Sequence, residues 1–199
     1  MNLETPKAEA KRHPKQRLLE AAIELFAEKG YASTSVREIV TLAGVTKPVL
    51  YYYYESKVGI FRAIMDEVMQ RYQEIMFEVL KTPGSCVEQL IELYRKLSQA
   101  MIELPNVVKL FHGVILGQPR GEPECNLGEF PMKIMEVVKK IYAQGLARGE
   151  VAEHDPDTVA LLFLSALTLT MHKDHSFLKS LNPDVPEQTL RLALSCLKR

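Results

Sequence analysis

The side chains best suited to recognising a partner molecule lie within residues 35–57. If residues 47–54 form a helix with 100° per residue, one side of that helix and its flanks carry Lys47, Pro48, Val49, Tyr51 and Tyr52. In a DNA major groove, phenolic hydroxyls can reach phosphates, Lys can reach a guanine edge, and Val or a Pro ring can pack on a thymine methyl. The opposite side carries Leu50, Tyr53 and Tyr54, which we expect to face the protein core. Plain core packing of the tyrosines is the alternative, and it is strongest for Tyr54.

Further groups that can bind phosphate lie at the predicted helix starts. Ser35, Thr46 and Ser56 are residue types that cap helix N-termini, where free backbone N–H groups can bind phosphate oxygens. Arg37 lies in the first turn after Ser35 and can add a base or phosphate contact. These positions extend the predicted DNA-binding face beyond the helix that carries the tyrosines.

The elements that must position these residues are predicted to be helices. Helical periodicity recurs along the chain and strand signals are nearly absent, which predicts an all-α fold. A first helix should run from Pro14 to Lys29, stopped by Gly30. A second should open with the capping box Ser35–Glu38, and a third, capped by Thr46, should end near Tyr54. The turn 43–45, with Gly44 at its centre, joins the second and third helices in a helix-turn-helix pattern.

The helices predicted after residue 56 are longer. Ser56 should cap a fourth helix that ends at Lys81, and five more are expected at 86–103, 106–117, 127–148, 156–173 and 185–198. We therefore expect two domains. Residues 1–57 would hold an N-terminal arm and a three-helix helix-turn-helix domain, and residues 58–199 a larger all-helical domain.

Composition limits the functional class. The 199 residues carry 25 Lys and Arg against 25 Asp and Glu, so the chain does not bind nucleic acid through bulk positive charge. The charge is uneven, because residues 1–57 carry nine basic against seven acidic side chains. The arm, with Lys7, Lys11 and Arg12, is either an ordinary solvated terminus or a minor-groove contact. The longest uncharged run has 15 residues, too few for a membrane span, and no targeting segment is recognisable, so a cytoplasmic protein is expected.

Residues 15–65 resemble the DNA-binding domain of the TetR family of transcriptional regulators. The resemblance is carried by 18–22 (LLEAA), Phe26, 29–31 (KGY), 34–39 (TSVREI), 43–47 (AGVTK), 50–54 (LYYYY) and 56–57 (SK). It implies that Lys47, Pro48 and Val49 read base edges, and that Thr46, Tyr51, Tyr53 and Lys57 hold phosphates, with Arg37 as an additional contact. Because the helical angle turns Tyr53 toward the core, we rank Tyr51, Tyr52 and Lys57 above it. The sequence departs from the family pattern at Val40, Tyr54 and Gly59.

The resemblance also implies that the C-terminal domain dimerises and binds a small-molecule effector. Residues 159–171 are apolar nearly all round, and the last predicted helix carries Leu190, Leu192, Leu194 and Leu197. A homodimer through the last two helices is therefore expected, with a buried helix within one chain as the alternative. A two-fold dimer predicts a palindromic operator with half-site centres about 34–36 Å apart, or a multiple of this.

A pocket for a hydrophobic or aromatic effector is expected between the fourth and eighth helices. Candidate lining residues are Tyr94, Met101, Phe111, His112, Met135 and Phe163. Each of these could instead be ordinary core packing. The predicted function is that of a ligand-responsive, homodimeric DNA-binding regulator that acts as a repressor.

Other chemistries have weaker support. His172 and His175 have a spacing compatible with two metal ligands but lack a third partner at a recognisable spacing, so neither a metal site nor a cofactor is predicted. Cys125 has no positively charged neighbour in sequence that would activate it as a redox sensor. No nucleophile–base motif, P-loop or dinucleotide-binding turn is present, so no enzyme activity is expected. A helical carrier that kept the fold without binding DNA is the remaining alternative.

Overall fold

The computed structural model describes residues 13–116, 123, 129–171, 182 and 184–197, with the backbone alone at 111–116 and 171. The all-α prediction is confirmed. In the described part of the chain the helices are α1 (Pro14–Lys29), α2 (Val36–Leu42), α3 (Lys47–Tyr54), α4 (Lys57–Lys81), α5 (Cys86–Glu103), α6 (Pro105–Leu116), α7 (Glu129–Ala147), α8 (Pro156–Met171) and α9 (Val185–Ser195). Within this part, no helix is both long and apolar enough to cross a bilayer.

The ends of α1 and α2 follow local sequence signals. Pro14 opens α1, and the His13 ring accepts a hydrogen bond from the Lys15 N–H at 3.4 Å. Gly30 ends the helix with φ +81°, a conformation that costs glycine little because it has no Cβ. The predicted capping box of α2 is confirmed, with the Ser35 hydroxyl accepting from the Glu38 N–H and the Glu38 carboxylate accepting from the Ser35 N–H.

The joint between α3 and α4 is tight. Glu55 ends α3 with φ +63°, the one non-glycine residue in the described part with a positive φ. The Ser56 hydroxyl then accepts a hydrogen bond from the Gly59 N–H at 2.9 Å, as expected of a helix cap. Gly59 lies so close to the end of α3 that a Cβ there would overlap the Tyr54 carbonyl oxygen.

The described residues divide into two compact units. The first runs through Val68 and also includes α6, so it holds α1, α2, α3 and the beginning of α4. Its core contains Leu18, Ile39, Leu50 and Ile60, each fully buried. An aromatic cluster adds Phe26, Tyr31 and Phe61, with ring centroids 5.0–5.8 Å apart.

The second unit contains α4 from Met69 onward, α5, α7, α8 and α9. Within it, α8 packs against α5, α7 and α9. Phe163 of α8 and Leu190 of α9 are fully buried. The two units are defined by which residues pack together, so they do not test the predicted functional boundary after residue 57.

Several predicted features lie outside the described residues. They are the N-terminal arm with Lys7, Lys11 and Arg12, the loop residue Cys125, and the His172 and His175 pair. The side chains of Phe111 and His112 are outside the description too.

Candidate nucleic-acid interface

The outer face of α3 presents the predicted set of side chains. Lys47 and Pro48 are exposed, Val49 is half-buried, and Tyr51 and Tyr52 are 49% and 80% exposed. Lys47 forms no ion pair or side-chain hydrogen bond with another described residue. The face therefore offers a cation, two phenols and two apolar groups to an external molecule, and the Tyr52 ring is held edge-on to the Tyr53 ring at 4.9 Å.

The inner face of α3 fixes the helix on the core. Leu50 is fully buried and Tyr54 is 6% exposed, which confirms the inward orientation expected for both. The Tyr54 hydroxyl donates to the Lys15 carbonyl oxygen of α1 at 2.9 Å, and burial raises the pKa of Tyr54 to about 12. The Tyr53 ring meets the His13 ring edge-on with 5.6 Å between centroids, so Tyr53 also faces α1. Two adjacent tyrosines thus anchor the helix while the two before them point outward.

The first turn of α2 contributes Ser35 and Arg37, and both are exposed. The Ser35 hydroxyl is engaged in the capping box, whereas Arg37 has no partner among the described side chains. Glu38 in the same turn accepts a hydrogen bond from Lys29 at 2.8 Å. This bond, followed by the hydrogen bonds from Ser35, lowers the pKa of Glu38 to about 2. The Glu38 carboxylate therefore stays ionised at neutral pH. It is paired with Lys29, so Arg37 remains available to an external anion.

One expected capping hydrogen bond does not form. The predicted N-cap position of Thr46 is confirmed, with an extended backbone, but its side chain makes no capping hydrogen bond to α3. Pro48 supplies the preset backbone angle at the second helical position, and having no N–H it needs no cap. The exposed Thr46 hydroxyl is consequently not committed to the helix.

Lys57 is placed differently from the other predicted contacts. Its Nζ donates to the carbonyl oxygens of Tyr31 at 2.9 Å and Thr34 at 2.8 Å. It also lies 4.1 Å from the centroid of the Tyr31 ring. Burial lowers the pKa of Lys57, opposed by the nearby carboxylate of Glu38. The structure thus directs this ammonium toward the turn between α1 and α2.

Sequence reasoning missed Arg17, which lies on α1 next to the helix-turn-helix turn. Its Nε is buried without a hydrogen-bond partner, and its Nη1 is 3.5 Å from where a Cβ would stand at Gly44. Gly44 has φ +61°, so the turn needs glycine for its backbone conformation. In sequence Arg17 looks like an ordinary residue on the polar face of an amphipathic helix. Only the fold shows that it lies next to Gly44.

Four of the five Lys and Arg residues in 13–54 lack a side-chain hydrogen bond or ion pair to another described residue: Lys15, Arg17, Arg37 and Lys47. The fifth, Lys29, is paired with Glu38. Unpaired cations on short helices provide the positive charge that phosphate binding requires.

The candidate effector residues differ in burial. Tyr94, Met101 and Phe163 are buried in the second unit, Met135 is half-buried, and Phe111 and His112 have side chains outside the description. The Tyr94 and Phe163 rings meet edge-on with 6.4 Å between centroids. The Tyr94 hydroxyl shares a hydrogen bond of 2.6 Å with Thr170.

Tyr94 also lines a groove of about 600 Å³ in the same unit. Charged side chains contribute much of the remaining wall, including Arg71 and Arg95. Both arginines are ion-paired, with Glu103 and Glu187 respectively. Among the described residues, no group of three or more His, Cys, Asp or Glu is arranged to hold a metal ion.

Comparison with known proteins finds a family match for the segment from α1 to the first part of α4. Residues 18–64 match the family model described as bacterial regulatory proteins, tetR family. A fatty acid metabolism regulator protein of Bacillus subtilis is 26% identical over 143 residues, which are 72% of this chain and 73% of that protein.

Solved structures share the fold at lower identity. A candidate fatty acid metabolism regulator of Clostridium perfringens superposes with a TM-score of 0.74 at 23% identity, covering 92% of this chain and 99% of that one. NalD, the secondary repressor of the MexAB-OprM multidrug efflux pump in Pseudomonas aeruginosa, gives 0.68 at 18% identity, covering 98% and 99%.

Proposed function

This chain belongs to the TetR family of bacterial DNA-binding transcriptional regulators, and on that premise we propose that it is a homodimeric repressor released from a palindromic operator by a small hydrophobic or aromatic effector. The observation that carries the proposal is the division of α3 into a buried face and an outer face on which Lys47, Pro48, Tyr51 and Tyr52 are exposed. The repressor role is supported by relatives such as NalD, which is itself named a repressor.

The proposed DNA contacts fall into two classes. Lys47, Pro48 and Val49 would contact base edges, because they lie at the N-terminus of α3 where a recognition helix meets the major groove. Phosphates would be held by Arg37, Thr46, Tyr51 and Tyr52, together with the exposed N-terminus of α2 at Ser35. Arg17 joins the second class because its guanidinium lies beside the turn that precedes α3.

Selection of bound sequences from random duplex DNA tests the DNA-binding proposal and its symmetry together. Lys47→Ala should then weaken binding to the selected operator by about 1–3 kcal/mol, or roughly 5- to 150-fold, and relax the preference at one base pair of each half-site. Lys140→Ala removes the same charge from an exposed, unpaired position of α7 and should leave binding unchanged.

Two results would contradict this part of the proposal. Undiminished operator binding by Lys47→Ala would show that α3 does not read bases as assigned. Absence of salt-sensitive duplex binding by the parent protein would favour the helical carrier instead.

A dimer through α8 and α9 is supported by apolar side chains that stay exposed in the described part of their own chain. Leu161 and Leu169 of α8 are 58% and 39% exposed, and Leu192 of α9 is 72% exposed. Of the four leucines in the last helical segment, the other three are buried within their own chain. An outward row of this kind on two adjacent helices suits a two-fold four-helix contact.

Leu192→Glu should shift the protein from dimer to monomer, because a carboxylate would be buried at the contact. Sedimentation velocity measures this shift. Met132→Glu is the matched control, since Met132 is 59% exposed on α7 and its substitution should leave the mass unchanged. A dimer that persists in the Leu192 variant would place the interface elsewhere.

The effector class is proposed from the buried Tyr94–Phe163 contact and from Met101, which is buried in the same unit. Relatives named for fatty acid metabolism and for control of a multidrug efflux pump make acyl compounds and aromatic drugs the first probes. Addition of a compound from one of these two classes should release a fluorescently labelled operator from the protein. Phe163→Ala should weaken that release. Retention of the operator with both classes would contradict the proposed effector chemistry.

A further inference from the structure

The groove of about 600 Å³ that Tyr94 lines belongs entirely to the second unit. Residues of α4, α5 and α8 and the beginning of α9 form its wall. Ile75 of α4, which is half-buried, and Ile102 of α5, which is 50% exposed, give the wall an apolar part. Cavities of this volume hold small organic molecules in many proteins. The charges and hydrogen-bonding groups of the wall then decide which molecules fit.

Each cation on the wall of this groove is already ion-paired. The wall carries three Lys and Arg residues and four Asp and Glu residues. The ion pairs are Arg71–Glu103 at 2.6 Å, Arg95–Glu187 at 3.0 Å and Lys96–Glu78 at 2.8 Å. Asp184, the fourth acidic residue, is exposed, and its side chain makes no hydrogen bond or ion pair with another described residue. The wall therefore carries one negative charge that its own cations do not compensate.

The hydroxyl groups on the wall have also used their hydrogens. The Thr170 hydroxyl donates to the Ala166 carbonyl oxygen at 3.3 Å. Because a hydroxyl has only one hydrogen, the 2.6 Å bond between the Tyr94 and Thr170 hydroxyls has Tyr94 as its donor. The Ser98 hydroxyl donates to the Arg95 carbonyl oxygen at 3.0 Å. The three hydroxyl oxygens can therefore accept further hydrogen bonds, but none of them can donate one.

These features favour a positively charged ligand over a negatively charged one. A carboxylate or phosphate would compete with one of the three wall carboxylates for its cation, and it would add to the uncompensated charge of Asp184. A protonated amine needs no such exchange. Its three N–H groups can donate to the free acceptors of the wall, and its charge compensates that of Asp184.

We propose, building on the effector response proposed above, that this groove binds an organic cation: a protonated amine that carries an apolar or aromatic group. The amine donates to the hydroxyl oxygens of the wall and pairs with Asp184, while the apolar group packs on Ile75 and Ile102. Among the probes named above, drugs that carry an amine are therefore favoured over free fatty acids, whose carboxylate has the opposite charge.

A matched pair of probes tests the charge of the ligand. 4-Phenylbutylamine and 4-phenylbutyrate share a phenyl group and nearly the same chain length, and they carry opposite charges at neutral pH. Calorimetric titration of the full chain without DNA should show that the amine binds about 4- to 25-fold more tightly, because attraction to Asp184 replaces repulsion. Asp184→Asn keeps the side-chain shape and should weaken amine binding about 2- to 5-fold. Glu136→Gln is the matched control, since it removes an exposed carboxylate from α7, which does not line the groove, and should change neither affinity.

Three results would overturn this proposal: equal or tighter binding of the carboxylate, binding of neither probe, and amine binding that Asp184→Asn leaves unchanged. Because no DNA is present, none of them bears on the proposed DNA contacts. Release of a labelled operator by the amine tests the effector response separately. An amine that binds the groove, loses affinity in Asp184→Asn and yet leaves the operator bound would support the chemistry assigned to the groove and contradict the proposed effector response.

Discussion

Substitution of Gly59 by alanine should destabilise the protein, although the same change inside a helix usually stabilises. Gly59 lies in the first turn of α4. An added Cβ would overlap the Tyr54 carbonyl oxygen and would come 3.0 Å from the carbonyl carbon. Both atoms belong to the backbone, so no side-chain rotation can relieve the overlap. The end of α3 and the start of α4 must move apart.

The two opposing contributions can be compared. Alanine gains about 1 kcal/mol over glycine from helix propensity. Overpacking against atoms that cannot rotate away costs about 3 kcal/mol, the upper end of the usual range. The net loss is about 2 kcal/mol, which corresponds to roughly 4–8 °C in Tm for a chain of this size. Because α3 must shift, operator affinity should also fall at temperatures where the variant is folded.

Thermal melts and urea titrations of Gly59→Ala measure this loss, with Gly84→Ala as the matched control. A Cβ at Gly84 would meet its nearest neighbours at 3.6 Å, an ordinary contact distance. The control should therefore stay within about 0.5 kcal/mol of the parent protein. A Gly59→Ala variant as stable as the parent would refute the reasoning, since the close approach of α4 to the Tyr54 carbonyl would then impose no constraint.

The remaining predictions concern the pH dependence and anchoring of the same unit. The pKa of Glu38 is lowered from 4.5 to about 2, so its contribution to stability is present above pH 4.5 and lost as the pH falls toward 2. Glu38→Gln should therefore lower Tm at neutral pH, with the gap to the parent closing between pH 4.5 and 2 in thermal melts; a constant gap would contradict the assignment. Tyr54→Phe removes the hydrogen bond to the Lys15 carbonyl and should cost about 1 kcal/mol in urea unfolding. Tyr52→Phe, whose hydroxyl lies on an 80% exposed side chain, should cost nothing measurable, and equal losses in the two variants would rule out the Tyr54 anchor.

Local sequence signals were sufficient to place most of the helices. Pro14 and Gly30 mark the two ends of α1, and the Ser35–Glu38 box marks the start of α2, because each signal acts through backbone groups a few residues away. The inward and outward sides of α3 followed from helical angle alone, with Leu50 buried and Tyr52 exposed. Local chemistry and short-range geometry determine these features.

Features that depend on distant backbone, or on the exact backbone geometry at a helix end, were not predictable. Lys57 bonds carbonyls 26 and 23 residues earlier, and nothing near position 57 announces them. Gly59 was visible only as a departure from the family pattern, and the reason lies in the carbonyl of Tyr54. Thr46 has the right residue type for a cap, yet its hydroxyl makes no bond to α3. Tertiary placement decides the contacts of Lys57, whereas Gly59 and Thr46 depend on the exact backbone geometry at the two ends of α3.

The uncovered leucines of α8 and α9 bear on how the protein would respond to its own abundance. If these faces join two protomers, the amount of dimer at low concentration rises with the square of the protomer concentration, so halving the copy number reduces it about four-fold. The melting temperature rises with concentration for the same reason, because the partner binds only the folded form. A side chain such as Leu192, 72% exposed in the single chain, would thereby convert a modest change in synthesis into a steep change in promoter occupancy.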